Sequence, residues 1–418
     1  MNITAWSTVS PYGLGRAAFT AGLLARRPTA VALDPGQWQV PDARACLVPQ
    51  FDPRTTLGLK GTRTMNRVTG LAVTAVGDLA QDLGAPAGPI DDPMDPAADG
   101  IMPGSMAGSM PRTALVLGTT TGSVQSMMDF TRSSLTGERP FDVEPAAIPN
   151  SVMNCAAAQC AIWHHIQGPN TTLACGRPSG LLALAYARRL LLGGRAETVL
   201  CGGAEEYSPA RSWLEHHSRD GEPALLGEGA AILRVEFTDG PDTLATVLAV
   251  ESRVCLPTSS GTGRASRAVT YTLGAAATAT LTATAPAPAN TRPTSANRTA
   301  LAETDVAATV AEAVRRALGR AGVAPRNVWA AVPSGHSEGE SAALRELFGT
   351  AALERVPATG DLLGDTGAAS AAFQLTATLA AGADESGRVA VITSVDPGGA
   401  VAAAVLRLGD GAFRGTPR

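Results

Sequence analysis

Gly168-Pro-Asn-Thr-Thr-Leu-Ala-Cys-Gly-Arg-Pro-Ser-Gly180, followed by the apolar run Leu181 to Leu192, is the stretch from which the fold is read. A β-prone segment meets a Gly-Arg-Pro-Ser-Gly turn, and the Ala/Leu-rich run after it predicts a helix with Pro178 in its first turn. A strand, turn and helix in this order put free N–H groups and the positive end of a helix dipole at the turn, where many α/β enzymes hold a nucleophile. Here the turn carries Arg177, whose guanidinium stays protonated and cannot attack. A cation at that end of a helix needs an anion beside it.

Outward from the turn, strand and helix patterns alternate. Before it, residues 2 to 26 read as a strand, a Ser-Pro-Tyr-Gly turn and a helix, and Met65 to Leu83 as a helix with one apolar stripe. Gly84 to Pro111 is aperiodic and reads as a long loop or insertion, Thr113 to Leu117 as a strand, and Ser123 to Leu135 and Val152 to Ile166 as helices. After it come the strand Thr198 to Cys201, a turn and strand over Gly227 to Glu236 and the strand Ala245 to Val250, then a Thr/Ala/Ser/Pro-rich segment over residues 257–300. The chain closes with helices at Ala302 to Ala321, Glu340 to Phe348 and Gly367 to Ala381, a strand at Val328 to Val332, and a hairpin of Val389 to Ser394 with Val401 to Leu408. This alternation predicts βαβ units on buried sheets.

Composition narrows the function. A length of 418 residues suggests two domains or one large duplicated α/β unit. A net charge of −4, no basic block and 4% aromatic residues argue against nucleic acid, which needs cations for phosphates and rings for bases. With neither a signal-type N-terminus nor a long apolar run, a cytoplasmic location is expected. The six cysteines form no CxxC pair and read as buried thiols, and neighbouring histidines at His164-His165 and His216-His217 point to different faces, so no metal site is expected.

Gly168-Pro169, Cys201-Gly-Gly-Ala-Glu205, Gly227-Glu-Gly229, Gly360-Asp-Leu-Leu-Gly364 and Asp396-Pro-Gly-Gly399 together resemble the β-ketoacyl synthases of the thiolase-like fold. Met65-Asn-Arg-Val-Thr and Ile148-Pro-Asn150 agree, and the resemblance spans nearly the whole chain. It implies an α/β fold of five αβαβα layers built from two pseudo-duplicated halves, residues 1–240 and 241–418. The family's Cys-His-His set does not carry over. Its nucleophile position falls on Arg177, its second histidine on Asp361 and its lysine on Val356, while only Pro333, Ser334 or Gly335 matches the first histidine. Condensation needs a thiolate and two imidazoles, so the resemblance implies a silent subunit.

Within that family the chain is similar to the chain-length factors of type II polyketide synthases, which pair with a competent ketosynthase α subunit. The expected partners are that subunit and an acyl carrier protein whose phosphopantetheine bears the substrate, with no cofactor bound directly. Arg177 is expected to pair with Asp361, the alternatives being an outward arginine or a pair with Asp365, Asp396 or Glu228. By resemblance Met127, Met128, Phe130 and Thr131 line the acyl tunnel, Glu340 is a buried structural carboxylate, and Arg211 to Leu226 is a shortened surface loop. Two rivals stay open: a malonyl-carrier decarboxylase or acyltransferase using Cys175 or Ser334 with His336, and a homodimeric binding protein. A loop role for His336 and a buried structural role for Cys175, within the strand before the turn, are favoured over catalysis.

Overall fold

The computed structural model describes residues 1–85, 110, 112–219, 223–238, 240, 243–256 and 301–409. The expected insertion Gly84 to Pro111 lies almost entirely outside the described residues, and the low-complexity segment 257–300 lies wholly outside them.

In chain order the first half contains β1 (Asn2–Ser10), β2 (Gly13–Leu14), α1 (Gly15–Leu24), β3 (Val31–Ala32), β4 (Arg44–Cys46), α2 (Pro53–Leu57), α3 (Arg67–Asp82), β5 (Thr113–Gly118), α4 (Val124–Thr136), α5 (Cys155–Trp163), β6 (Asn170–Leu173), α6 (Ser179–Leu192), β7 (Thr198–Glu205), α7 (Pro209–Ser218), β8 (Leu226–Gly227) and β9 (Gly229–Glu236). The second contains β10 (Ala245–Val254), α8 (Glu303–Ala321), β11 (Val328–Val332), α9 (Glu338–Phe348), α10 (Thr350–Leu353), α11 (Thr359–Leu363), α12 (Ser370–Ala381), β12 (Val389–Val395) and β13 (Ala400–Leu408). The main sheet runs β11-β12-β13-β10-β1-β9-β7-β5-β6, and β3, β4 and β8 form a small second sheet. Within the main sheet β1 pairs with β10 through Asn2↔Thr246 and Ile3↔Ala245.

Side-chain alternation along the strands sorts the core into layers. On β5, Ala114 and Val116 face a central core, whereas Leu115 and Leu117 face an outer one. On β12, Ala390 and Ile392 share that central core, and Val389 and Val391 face another outer core. Leu181 and Leu184 of α6 and Phe373 and Leu375 of α12 fill the centre. Leu71 and Val76 of α3, with Ala157 of α5, cover one outer face, and Val310 and Val314 of α8, with Leu344 of α9, cover the other. The order is therefore helix, sheet, helix, sheet, helix, as the family resemblance implies.

The central helices approach closely because their contact residues are small. A Cβ on Gly180 would lie 2.5 Å from the backbone nitrogen of Ala372, so α6 and α12 cross backbone to backbone. Gln374 Nε2 donates to the carbonyls of Val332 (3.0 Å) and Thr393 (2.7 Å), pinning α12 to the ends of β11 and β12.

Several local expectations change. Pro145 and Pro149 lie in a 3-10 helix over Pro145–Ser151, so the helix expected from Val152 begins at Cys155. Residues Gly367–Ala369 are likewise 3-10 before α12 begins. The expected loop Arg211 to Leu226 starts within a helix, because the Ser208 hydroxyl accepts from Arg211 N at 3.2 Å and Pro209 sits at the first helical position. Cys175 lies beyond the end of β6 rather than inside it.

Gly180→Ala tests the central crossing. An ordinary helical Gly→Ala change stabilises by about 0.5–1 kcal/mol. Here it should destabilise by about 1 kcal/mol or more through the collision with Ala372, measured as a lower denaturation midpoint.

Candidate functional site

The turn between β6 and α6 is held by contacts within it and from across the molecule. Gly176 has φ +63, and a Cβ there would lie 1.8 Å from Asp396 Oδ2, so glycine lets the Asp396 carboxylate sit against the turn. Arg177 N donates to Asp396 Oδ2 at 3.2 Å. The Ser179 hydroxyl donates to Gly176 O at 2.6 Å and accepts from Cys175 N at 3.1 Å. These bonds occupy backbone groups at the turn.

Arg177 turns inward and is 7% exposed. Its Nε donates to Asp365 Oδ1 at 3.2 Å and its Nη2 to Asp365 Oδ2 at 2.6 Å, a two-pronged pair. The expected pairing with Asp361 is corrected. Asp361 is exposed in the first turn of α11, and Gly364, at φ +69, redirects the chain so that Asp365 enters the interior. A carboxylate at a helix N-terminus is stable facing solvent, whereas the buried guanidinium requires one facing inward.

Asp365 is saturated. Its carboxylate also accepts from Gly367 N (3.0 Å) and Arg219 Nη2 (2.9 Å), and its backbone carbonyl accepts from Gly227 N (3.0 Å) and Arg211 Nη2 (2.8 Å). Burial works to raise its pKa, but Arg177, His336 and Arg211 overcome burial and hold it well below 3.8. Arg211, 4% exposed, donates further to the carbonyls of Glu206 (2.9 Å) and Gly227 (2.7 Å). Neither Arg219 nor Arg211 stands out from the sequence. The Ser208-Pro209 capping pair marks a helix start there, but nothing local says that the helix points its arginines at the turn.

The other candidates lie around this pair, and His336 Nε2 has no hydrogen bond to any of them. The Ser334 hydroxyl donates to Glu340 Oε2, and the Thr393 hydroxyl donates to Glu340 Oε1 at 2.7 Å. Glu340 is fully buried, as the family resemblance implies, and burial raises its pKa. His336 Nε2 is buried and has no hydrogen-bond partner among the described residues. Burial lowers its pKa to about 4, with the Asp365 charge opposing and the Arg177 and Arg219 charges assisting, so the ring is neutral at pH 7. The half-buried Cys175 thiol is pushed up by burial and then by Asp396, against thiolate formation. No His, Cys, Asp or Glu cluster among the described residues is placed to hold a metal ion.

A second set of buried carboxylates lies at the end of β7. Glu228 is gripped by Arg67 through Nε (2.7 Å) and Nη2 (2.5 Å). Glu205 accepts from Thr120 N (3.1 Å) and Ala368 N (3.2 Å). Glu206 joins two helix starts, accepting from Val68 N (3.0 Å) in α3 and from the Ser123 hydroxyl (2.8 Å), the N-cap of α4. Burial raises Glu206 to about 7; the bonds from Ser123 and Val68 oppose this, while the Glu205 and Glu228 charges add to it.

Met127 and Met128 are exposed on α4, with Thr131 also exposed and Phe130 half-buried; Val124 is the helix's fully buried residue. Nearby apolar side chains at Phe141, Ile148, Val152, Met153 and Ile162 are exposed too. β6, at the end of the sheet order, pairs through β5 on one side. Among the described residues no helix is long and apolar enough to cross a membrane.

The profile for "Beta-ketoacyl synthase, N-terminal domain" matches residues 2–219. A chain of the solved ishigamide ketosynthase/chain length factor is 41% identical, with 98% of this chain and 99% of that one covered at a TM-score of 0.77. A chain of the solved AntDE:AntF complex, a type II PKS acyl-carrier protein with its ketosynthase bound to the hexaketide, matches over 97% of this chain and 98% of its own at TM-score 0.67 and 14% identity, a likeness of fold alone. The 3-oxoacyl-[acyl-carrier-protein] synthase 2 of Rhizobium meliloti (strain 1021) is 26% identical over 144 residues, 30% of this chain and 34% of that protein. The chain thus aligns with about a third of that relative's length.

Two predictions follow from the charges. Asp365→Ala should destabilise by about 3–5 kcal/mol, because it leaves the buried Arg177 guanidinium without its carboxylate, and Arg177→Ala should cost less, because Arg219 still pairs with Asp365. In a double-mutant cycle the combined loss should fall well short of the sum, whereas Asp361→Ala should cost under about 0.5 kcal/mol. The second concerns pH. Glu206 has a folded pKa of about 7 against 4.5, so the folded state binds the extra proton and this group's contribution falls as pH rises through that window. Asp365 acts oppositely: its contribution is present above 3.8 and lost as pH falls through its lower folded pKa. Glu206→Gln should therefore flatten the decline in stability between pH 5 and 7, read by denaturant titration across pH.

Proposed function

The chain belongs to the beta-ketoacyl synthase family, and we propose that within it this chain is a non-catalytic chain-length factor of a type II polyketide synthase. The observation that carries the reading is Arg177, buried in the nucleophile turn and paired with Asp365. A guanidinium there can neither accept an acyl group nor leave room for one. Family chemistry requires a nucleophile and two imidazoles together, and the second histidine position is the exposed Asp361.

In this reading the active cysteine belongs to a ketosynthase subunit in a heterodimer. The apolar surface of α4 and its surroundings, with the edge strand β6, forms the contact, since a strand edge with no partner among the described residues, beside exposed Met and Phe side chains, is otherwise an aggregation hazard. Met127, Met128, Phe130 and Thr131 then complete the partner's acyl tunnel and limit chain length, Met being suited to a yielding apolar wall. The growing chain arrives on the phosphopantetheine of an acyl carrier protein. Residues 1–240 and 241–418 are proposed as the two duplicated halves, a division supported by the two-residue junction of β1 with β10.

Co-expression with a ketosynthase bearing an intact Cys-His-His set should yield a 1:1 complex by equilibrium mass measurement and condensing activity that neither chain shows alone. Arg177→Cys in the isolated chain should not restore condensation. Condensation by the unmodified chain alone would refute the reading, and a stable homodimer that ignores the ketosynthase would favour the binding-protein rival.

A further inference from the structure

At the N-terminal end of β11, far from the arginine-filled turn, a cavity of ≈ 290 Å³ opens between that strand, α10 and the turn leading into β12. Its apolar lining comes from Trp329, Phe348, Ala351 and Ala352. Arg355, Arg388 and Glu385 provide its charges. The Arg388–Glu385 pair is long, 3.5 Å, and exposed, so it holds Arg388 weakly. Arg355 is exposed and has no carboxylate partner among the described residues. The indole N–H of Trp329 is buried without an acceptor among them, an unusual condition for a buried donor.

Two guanidinium groups against one carboxylate leave the cavity short of one negative charge. An arginine fork matches a carboxylate geometrically, and flat apolar side chains beside it favour a hydrocarbon body over a fully hydrated inorganic ion. We propose that this cavity binds a small monocarboxylate with an apolar body, its carboxylate between Arg355 and Arg388 and its body against Trp329 and Phe348. Ser334 and Asp396 follow the opposite ends of β11 and β12, so the cavity lies about one strand length, ~17 Å, from the turn. The inference is independent of the chain-length role.

Isothermal titration of the full chain with hexanoate, hexan-1-ol and hexylamine at low ionic strength tests it. Saturable binding of hexanoate is expected, at least tenfold tighter than either isostere, because only the carboxylate satisfies the arginines. Arg355→Gln and Arg388→Gln change exposed side chains, so the fold should persist, checked by an unchanged thermal melt, while hexanoate affinity falls about tenfold or more in each. Absence of saturable hexanoate binding, equal binding of the three ligands, or hexanoate affinity unchanged by both substitutions would overturn the proposal.

Discussion

The buried pair of Arg177 with Asp365 organises the functional end of this protein. It joins the turn after β6 to the segment after α11, two parts of the chain 188 residues apart. Arg219 and Arg211 converge on the same aspartate from the end and the start of α7. A buried ion pair adds little net stability, because desolvation offsets attraction. Its effect is on arrangement: with Asp365 in place, one orientation of the arginine leaves no charge exposed to low dielectric.

This arrangement accounts for the architecture of the turn. Gly176 adopts a left-handed conformation, Ser179 bonds back to Gly176 O, and α6 begins where a dipole favours an anion. The anion is supplied from within, by the Asp396 carboxylate at the Arg177 amide and by Asp365 at its side chain. The buried Glu340 carboxylate accepts from the Ser334 hydroxyl, and His336 Nε2 has no hydrogen-bond partner among the described residues, so His336 is not bonded to Ser334 or Cys175.

Much of the fold was legible because alternating strands and Ala/Leu-rich helices leave strong periodic patterns, and the terminal hairpin around Asp396-Pro397 emerged at its expected place. The site was less legible for physical reasons. Matching the family's histidine to Asp361 pointed at this loop, but the long Arg177 side chain pairs with Asp365 instead. Gly364 makes the difference by reversing the chain between the two aspartates. Arg211 and Arg219 act through tertiary contacts from a helix that reads as a loop unless the Ser208-Pro209 cap is noticed. Glu205 and Glu206 stood at the end of a buried strand, a position that marks them as unusual without showing which amides they accept from.

The central claim is that the chemistry of this turn has passed to a partner subunit. Intact-mass analysis of each subunit after the co-expressed complex is loaded from an acyl-carrier thioester tests it most directly. The account predicts one acyl adduct per complex, on the ketosynthase cysteine, with this chain unmodified. An acyl adduct on this chain, at Cys175 or Ser334, would contradict it.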